Sequence, residues 1–471
     1  MAKAKSASAK KKSTKKKSTK TTSKKTKKTS KKKKSPTKIH WDKFPKPSPD
    51  DVATAINMKF GTHGPIMRAA TDSWDASDLR RPSGIADLDI AHGGGLIAGK
   101  VHQFDGPDGI GKNFLLYQYF AEVQRNYGDD ARLAMACFES LVDKQFAQTC
   151  GCKIAMSPYD IEVTQRAREL RGEQPLTDEE IREALSVPGV GTFHVFEGQA
   201  EQVLDGIVEA VKANIFQIIG VDSWDAMITA ADEDKDLEEA RVVASSAGIQ
   251  TRWSQKIYNA FNPIYRCPSC GYAPLGKRVT ESATMNYKWF CPNETDKAKC
   301  GWSGLDPAIE VNETSVYCIR QVRARIDMSG RPIKGRPYES KGARALMHLN
   351  HLRTSMHAGK YLTNKSGQKL GKEVNWEITK AKSGAREGTA GQFLLYFGPT
   401  EVDKPKILLN QCLKHGIVTK GAGYFNVPDI DMERVQGENK FLGLIEREPQ
   451  LMSSLRELLF IKAGLSHVRF V

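Results

Sequence analysis

The sequence predicts an α/β fold built on a largely parallel central sheet. Strand-sized apolar runs alternate with helical patterns, an arrangement typical of β–α–β units and therefore of parallel sheets. A second observation is a glycine-rich turn that joins a strand to a helix, as in phosphate-binding loops of this fold class. The apolar runs occupy residues 133–138, 192–195, 216–221, 315–319, 345–352, 374–379 and 392–397.

The excess positive charge of the chain lies at its N-terminal end. The 471 residues include 71 Lys and Arg against 55 Asp and Glu. Residues 1–38 contain 18 Lys and no Asp or Glu, so the remainder is close to neutral. Such a segment cannot bury apolar surface and predicts a disordered tail. The tail either binds nucleic-acid phosphates without sequence preference or serves only to keep the protein in solution.

No segment predicts a membrane span or a secretory signal. The apolar runs are much shorter than the roughly 20 residues that a transmembrane helix needs. The N-terminal end lacks the apolar stretch of a signal peptide. Nine Cys in a chain of this length favour metal-bound or free thiols in a reducing compartment over a disulfide framework. The sequence therefore predicts a cytoplasmic protein.

Composition and pattern divide the chain into four regions. Residues 1–39 are the Lys-rich tail, and residues 40–80 form an N-terminal segment with a helix between Ser48 and Gly61. Residues 81–402 form the α/β core, which residues 264–312 interrupt with four Cys and little periodicity. Residues 403–471 form a small C-terminal domain with helical patterns around residues 407–415 and 442–459.

The glycine-rich turn has the spacing of a Walker A phosphate loop. Backbone N–H groups at the start of a helix attract phosphates, and small residues allow the main chain to approach them closely. In this interpretation Lys112 reaches the β and γ phosphates, and Asn113 stands where Ser or Thr normally ligates magnesium. The alternative is a glycine-rich turn without a ligand. The candidate nucleotide-binding residues are Gly106, Pro107, Asp108, Gly109, Ile110, Gly111, Lys112 and Asn113.

Two acidic residues follow predicted strands. Asp222 ends the buried run 217–222, where it could hold magnesium through water, as a Walker B acid does. Glu139 follows the run 133–138 and is the best-placed carboxylate to activate an attacking water; the alternative role for it is a helix N-cap.

The inserted segment contains a candidate zinc site. Its cysteines follow a C-x2-C-x20-C-x8-C pattern, and two of them directly precede Gly, as in zinc-ribbon turns. The alternative is a loop with unliganded thiols. Basic and aromatic residues in the same segment, at 277, 278 and 287–289, could add a DNA contact. The other five cysteines are expected to be buried small hydrophobes. The proposed zinc ligands are Cys267, Cys270, Cys291 and Cys300.

From about residue 48 to its end the chain resembles the RecA family of DNA strand-exchange recombinases. Residues 56–68 resemble the family's lead helix, which packs on the neighbouring protomer, and residues 83–100 resemble its approach to the phosphate loop. The resemblance implies a RecA-type P-loop ATPase core with a small α/β C-terminal domain. It also implies ATP and Mg2+ as cofactors, single-stranded and double-stranded DNA as partners, and a homo-oligomeric helical filament. Single-strand-binding or loader proteins would be further partners, and the cell would be a bacterium or a phage-infected host.

The resemblance also assigns residues to roles. Glu139 takes the place of the catalytic glutamate, and Asp143 and Phe146 those of the adenine contacts, although Phe146 could equally be a core aromatic. Asn113 and Asp222 would hold magnesium. Gln321 is preferred as the γ-phosphate sensor over the strand-like segment 346–353. With that choice Lys380 and Lys382 match the lysine pair that reaches the neighbouring protomer's nucleotide.

Two segments match the family's DNA-binding loops. Residues 232–246 correspond to the first loop but lack its glycines. The second loop, residues 324–344, is basic and glycine-rich, and the alternative for it is a solvated surface loop. Its candidate DNA-binding residues are Arg323, Arg325, Arg331, Lys334, Arg336, Lys341 and Arg344.

These observations favour an ATP-dependent recombinase that pairs homologous DNA and exchanges strands, with DNA-dependent ATP hydrolysis. Catalysis would depend on Glu139, Lys112 and Gln321. One alternative on the same fold is a helicase or branch-migration ATPase. The other is a nucleotide-sensing protein that coats single-stranded DNA and hydrolyses ATP weakly, because Asn113 replaces the usual hydroxyl residue.

Overall fold

The computed structural model describes most of the chain beyond residue 77. The chain divides into two compact units, residues 1–67 and 68–471, and the second unit contains the α/β core. The predicted tail, the N-terminal helix and the segment 234–244 lie outside the described residues. The described residues are 56, 78–139, 141–187, 189–233, 245–273, 275–281, 286–295, 298–304, 307–324, 338–340, 344–382, 384–398, 402–466 and 468–470.

Strands and helices alternate through the first half of this unit. The strands are β1 (Leu79–Arg81), β2 (Leu96–Ile97), β3 (Val101–Gly106), β4 (Arg132–Cys137), β5 (Thr192–Phe196), β6 (Ile218–Asp222), β7 (Ile264–Arg266), β8 (Gly276–Glu281), β9 (Asn286–Phe290), β10 (Glu294–Thr295), β11 (Ala298–Lys299), β12 (Ser303–Gly304), β13 (Ala308–Glu310), β14 (Ser315–Ala324), β15 (Tyr338–Ser340), β16 (Leu352–Thr363), β17 (Lys369–Ala381), β18 (Ala390–Tyr396), β19 (Thr419–Gly421), β20 (Tyr424–Asn426), β21 (Val435–Gln436) and β22 (Arg469–Phe470).

The α-helices are α1 (Ala86–Ala91), α2 (Lys112–Tyr127), α3 (Lys144–Thr149), α4 (Pro158–Leu170), α5 (Asp178–Leu185), α6 (Ala200–Ala213), α7 (Ala230–Glu233), α8 (Ser245–Ala260), α9 (Arg344–Leu349), α10 (Lys404–Lys414), α11 (Glu438–Arg447) and α12 (Pro449–Lys462). Within the described ranges, two short 3-10 helices occupy Gly128–Asp130 and Trp224–Ala226. Among the described residues no helix is long and apolar enough to cross a membrane.

A nine-stranded sheet forms the centre of the fold. Its order is β18-β17-β16-β3-β14-β6-β4-β5, and β15 pairs with β14 outside this path. The neighbours from β16 to β5 are all parallel, whereas β17 and β18 extend the sheet as antiparallel strands. The prediction of an α/β fold with a mainly parallel sheet is therefore confirmed. The parallel order also places the carboxyl ends of β3, β4, β6 and β14 at one edge.

Helices cover both faces of this sheet. Along β14, Tyr317 and Ile319 belong to the core beneath α2, while Val316 and Cys318 belong to the core beneath α6 and α8. All four side chains are buried, so β14 has no polar face in its central part. This double burial is what a continuous apolar run predicts for a central parallel strand.

One predicted strand is wrong. The run 345–352 forms helix α9 (Arg344–Leu349), and the strand begins only at Leu352. Leu346 is buried in the core on the α6 and α8 side of the sheet, and the Asn350 N–H donates to its carbonyl at 3.0 Å. A short apolar run fits a buried helical turn as well as a buried strand, so its pattern could not separate the two.

The C-terminal helices have a core of their own, which is joined to α2 by a buried ionic cluster. Glu122 of α2 is 1% exposed, and its carboxylate accepts hydrogen bonds from Lys404 at 3.0 Å and Arg456 at 3.1 Å. Burial alone would raise the pKa of this carboxyl, but the adjacent cations hold it well below its usual value. Because a buried carboxylate without partners is costly, this cluster ties α10 and α12 to the core.

Candidate nucleotide-binding site

The phosphate loop lies between β3 and α2, as the motif predicts. Gly109 and Gly111 have φ values of 67° and 104°, a region that side chains disfavour, so glycine suits both positions. The Lys112 ammonium donates to the carbonyls of Gly106 at 2.7 Å and Pro107 at 2.8 Å. Burial lowers the pKa of Lys112, and nearby carboxylates, with Asp108 foremost, oppose that shift. Carbonyl groups of the loop therefore hold the Lys112 ammonium in place.

Asn113 lies directly against the strand-end acid Asp222. Its Nδ2 donates to Asp222 Oδ2 at 2.7 Å. Burial raises the pKa of the Asp222 carboxyl, and the hydrogen bond from Asn113 offsets part of that rise. An amide that donates through nitrogen keeps its carbonyl oxygen as an acceptor, so Asn113 can contact the acid and still offer a ligand to a hard cation.

Glu139 is held by Gln321 across the carboxyl ends of β4 and β14. Gln321 Nε2 lies 2.8 Å from each of the two Glu139 carboxylate oxygens. The backbone N–H of Gln321 donates to Asp225 Oδ2 at 3.0 Å, and Arg320 pairs with Asp225 at 3.0 Å. Burial raises the pKa of Asp225 to about 6. This acid therefore fixes the backbone that carries Gln321.

These groups face one cavity of about 380 Å³. Four of the lining residues, at positions 114, 372, 395 and 397, were not anticipated from the sequence. Three of them come from β17, β18 and the residue after β18, which have no recognisable motif. The lining consists of Asp108, Gly109, Gly111, Lys112, Asn113, Phe114, Glu139, Phe146, Asp222, Gln321, Lys372, Leu395 and Phe397.

The two predicted adenine contacts differ in position. Phe146 lines the cavity and also packs edge-on against Tyr117, with ring centroids 5.9 Å apart, so it serves both the core and the cavity wall. Asp143 is exposed and does not line the cavity. Its carboxylate instead accepts the Phe146 N–H at 2.9 Å and caps α3.

Lys380 and Lys382 lie at the end of α9 and do not line the cavity of their own chain. The Lys380 ammonium donates to the carbonyls of Met347 and His348, the latter at 3.2 Å. The Lys382 ammonium donates to the His348 carbonyl at 2.7 Å. Cations at a helix C-terminus are stabilised by its dipole. Their predicted role at a neighbouring protomer's nucleotide stays a prediction.

The predicted DNA-binding residues fall largely outside the described part. Arg323 lies in β14 and Arg344 begins α9, but their side chains, and all of Arg325, Arg331, Lys334, Arg336 and Lys341, are not described. The same holds for the side chains of Lys277, Arg278 and Tyr287. DNA contact through these residues stays a prediction.

The four cysteines of the insertion converge on one point. Their sulfur atoms all lie within 4.8 Å of one another. Cys267 and Cys300 Sγ are 3.6 Å apart, and Cys270 and Cys291 Sγ are 3.5 Å apart. Tetrahedral zinc with bonds of about 2.3 Å separates its sulfur ligands by about 3.8 Å. The cluster therefore has the size and donor set of a metal site with four thiolate ligands.

Turns and hydrogen bonds shape this cluster. Gly271 and Gly301, which directly follow Cys270 and Cys300, have φ values of 72° and 68°. The Tyr272 N–H and the Asn293 amide lower the pKa of the Cys270 thiol to about 6, which favours the thiolate that binds metal. Of the other cysteines, Cys137 is half-buried, and Cys150, Cys152, Cys318 and Cys412 are buried.

The fold and the loop together define an α/β protein of the P-loop class, with strand-end acids beside the loop. No family model matches the chain. It is 21% identical over 416 residues to the RecA protein of Thermus thermophilus, a match that covers 88% of this chain and 94% of the relative. It is 22% identical over 414 residues to RecA of Oleidesulfovibrio alaskensis, covering 88% and 90%.

A shorter match has a higher sequence identity. Over 118 residues the chain is 34% identical to RecA of Prochlorococcus marinus, covering 23% of this chain and 29% of the relative. Similarity to RecA proteins over most of the chain, although at low identity, supports the RecA family. The mainly parallel central sheet is consistent with a RecA-type core.

Proposed function

We propose that this protein is an ATP-dependent DNA recombinase that forms a helical filament on single-stranded DNA and exchanges strands with a homologous duplex. The contact between Gln321 and Glu139 carries the proposal. It joins a carboxylate suited to activate water with the strand that leads into the basic segment 324–344. Similarity to RecA proteins over most of the chain supports the same function.

The cavity has groups for each part of ATP hydrolysis. Lys112 and the N–H groups of the loop would bind the β and γ phosphates, as cations and helix N-termini do in P-loop proteins. Asn113 and Asp222 would hold Mg2+, which supplies neutralising charge for the phosphates. Glu139 would take the proton of the attacking water, acting as a general base.

Gln321 would couple nucleotide binding to DNA binding. The Gln321 amide donates to the Glu139 carboxylate and so holds the proposed general base beside the cavity. A γ-phosphate oxygen would offer the same amide a second anionic acceptor, and movement of Gln321 toward it would shift β14. β14 continues to Ala324 and pairs with β15, so a shift at Gln321 reaches both ends of the basic segment. Such differential contact makes DNA affinity depend on ATP.

The cysteine cluster would hold a structural zinc ion. Trp289 is buried beside it and stacks on Tyr265 with ring centroids 5.1 Å apart. β7 and β13 pair at the base of the insertion. A zinc ion bound by four thiolates leaves no open position for substrate, so its role would be to fold this segment.

The test is the ATPase rate of the full-length chain with and without single-stranded DNA, alongside electron microscopy of the same mixtures. Hydrolysis that DNA stimulates, together with helical filaments, is the expected result. Closed rings would assign the protein to the helicase or branch-migration class. No response of hydrolysis or assembly to DNA would reject the proposal.

A second candidate function rests on Asn113. A DNA-coating protein with weak turnover would result if the amide holds Mg2+ less well than a hydroxyl does. In that case Asn113→Thr would raise the rate of hydrolysis and leave DNA binding unchanged. An equal or lower rate would exclude this alternative.

A further inference from the structure

A second lysine reaches the nucleotide cavity from the antiparallel end of the sheet. Lys372 lies in β17 opposite Leu395 of β18. Leu395 packs on the phosphate loop, where its Cδ2 would be 3.1 Å from a Cβ placed on Gly111. The Lys372 ammonium donates a hydrogen bond to the Gly109 carbonyl of the same loop. β17 and β18 thus contact the loop through one apolar and one cationic side chain.

The charge of Lys372 has no carboxylate partner in the described ranges. Its sequence neighbour Glu373 is turned to the hairpin, where Oε2 accepts the Lys360 N–H at 3.2 Å. Lys372 is only partly exposed, and its burial lowers the pKa of the ammonium. A partly desolvated ammonium that bonds a neutral carbonyl gains much less than one that bonds an anion. The site therefore favours an anionic group near this lysine.

Lys112 offers a direct comparison. Both ammonium groups line the cavity, and both donate to backbone carbonyls of the phosphate loop. For Lys112 this arrangement precedes binding of phosphate, whose oxygens are stronger acceptors than peptide carbonyls. Lys372 is in the same situation on the other side of the loop. Its positive charge also faces the same cavity as Asn113, which replaces the usual hydroxyl residue.

We propose that Lys372 is a second phosphate-binding lysine, whose ammonium passes from the Gly109 carbonyl to a phosphate oxygen of the bound nucleoside triphosphate. This inference rests on the proposed function, because it requires ATP in this cavity. Lys372 lies 263 positions from Gly109 in the sequence. The phosphate-binding site would therefore include a residue far from the loop motif.

The test compares ATP affinity of the full-length protein with that of Lys372→Met, by titration with a fluorescent ATP analogue at several salt concentrations. Losing one charge-assisted hydrogen bond should weaken binding by about ten- to a hundredfold and reduce its salt dependence. KM for ATP should rise with little change in kcat, and Lys372→Arg should restore part of the affinity. The control is Lys369→Met, on the same strand as Lys372. It removes an ammonium that lies 3.9 Å from the centroid of the Tyr361 ring in β16, and it should leave ATP affinity unchanged.

Two results would overturn the inference while leaving the proposed function intact. Equal ATP affinity in Lys372→Met and the unaltered protein would show that the ammonium does not bind nucleotide. Weaker affinity with an unchanged salt dependence would assign Lys372 to holding the loop, without phosphate contact. If the unaltered protein itself bound no ATP, the proposed function would fail, and this inference with it. A thermal unfolding curve of each variant verifies that it is folded.

Discussion

The nucleotide cavity and the cysteine cluster are assembled in opposite ways. The cavity collects side chains from residues 108 to 397, which meet only because the sheet brings distant strands together. The cluster collects four thiols that lie within 33 positions of one another. The first site therefore depends on the whole fold, whereas the second depends on local turns and, we propose, on a metal ion.

The two sites also differ in the contacts that hold them together before a ligand is bound. In the cavity, Lys112 is bonded by two carbonyls and Glu139 by the Gln321 amide before any ligand is present. In the cluster, the apolar core is small and includes two of the cysteines themselves, with Leu275 and Trp289. So small a core supplies little stability, which makes the cluster the site whose fold should require its ligand.

The largest expected effect is loss of metal from the cluster. Cys267→Ser should abolish binding of a single zinc ion and unfold the inserted segment, because structural zinc contributes roughly 10 kcal/mol or more in small domains. Zinc content by elemental analysis reports the loss of metal, and tryptophan fluorescence, to which Trp289 contributes, reports the unfolding. Cys412→Ala, which removes a buried thiol of α10, should keep its zinc. Undiminished zinc in Cys267→Ser would contradict the metal site, and loss of ATP affinity would show that the two sites are coupled.

The next effect is on the chemical step in the cavity. Glu139→Gln should lower kcat by about 100- to 10,000-fold, the usual contribution of a general base, and leave ATP affinity largely unchanged. Steady-state hydrolysis with a parallel ATP titration measures both quantities. Glu162→Gln, on the exposed side of α4, is the matched control and should be fully active. A rate near that of the unaltered protein would remove Glu139 from the mechanism.

The smallest effect concerns the buried acid that positions Gln321. Asp225 has a pKa raised by burial to about 6, so below that pH it is neutral and loses its ion pair with Arg320. The hydrolysis rate at saturating ATP should therefore fall as the pH drops through about 6, by at most about tenfold per pH unit for one titrating group. Asp225→Asn should be slower at neutral pH and lack this inflection. The same inflection in that variant would assign it to another group.

The sequence predicted the parts of the cavity that follow local patterns. The phosphate loop has its motif, and Asp222 and Glu139 follow buried strands whose parallel order places their ends together. The sequence analysis missed Lys372, Leu395 and Phe397. They reach the loop from the antiparallel strands β17 and β18 and the residue after β18, which have no recognisable motif.

Two further features also needed the structure. The pair of Arg320 and Asp225 depends on the register between β14 and β6, which the sequence does not specify. Helix α9 was taken for a strand because a short segment, in which five of eight residues are apolar, is compatible with either element. The spacing of Cys267, Cys270, Cys291 and Cys300, in contrast, was sufficient to predict their convergence, since it depends on short connections alone.

The most direct test of a nucleotide site in this cavity is the ATP affinity of the full-length protein and of Lys112→Ala, measured by equilibrium titration with Mg2+ present. We expect the unaltered protein to bind ATP and Lys112→Ala to bind it at least about a hundredfold more weakly, because the charge-assisted contact between the buried Lys112 and phosphate is lost. Unchanged thermal unfolding would exclude misfolding as the cause. Failure of the unaltered protein to bind ATP, or equal affinity in the two proteins, would contradict the assignment of this cavity to a nucleotide.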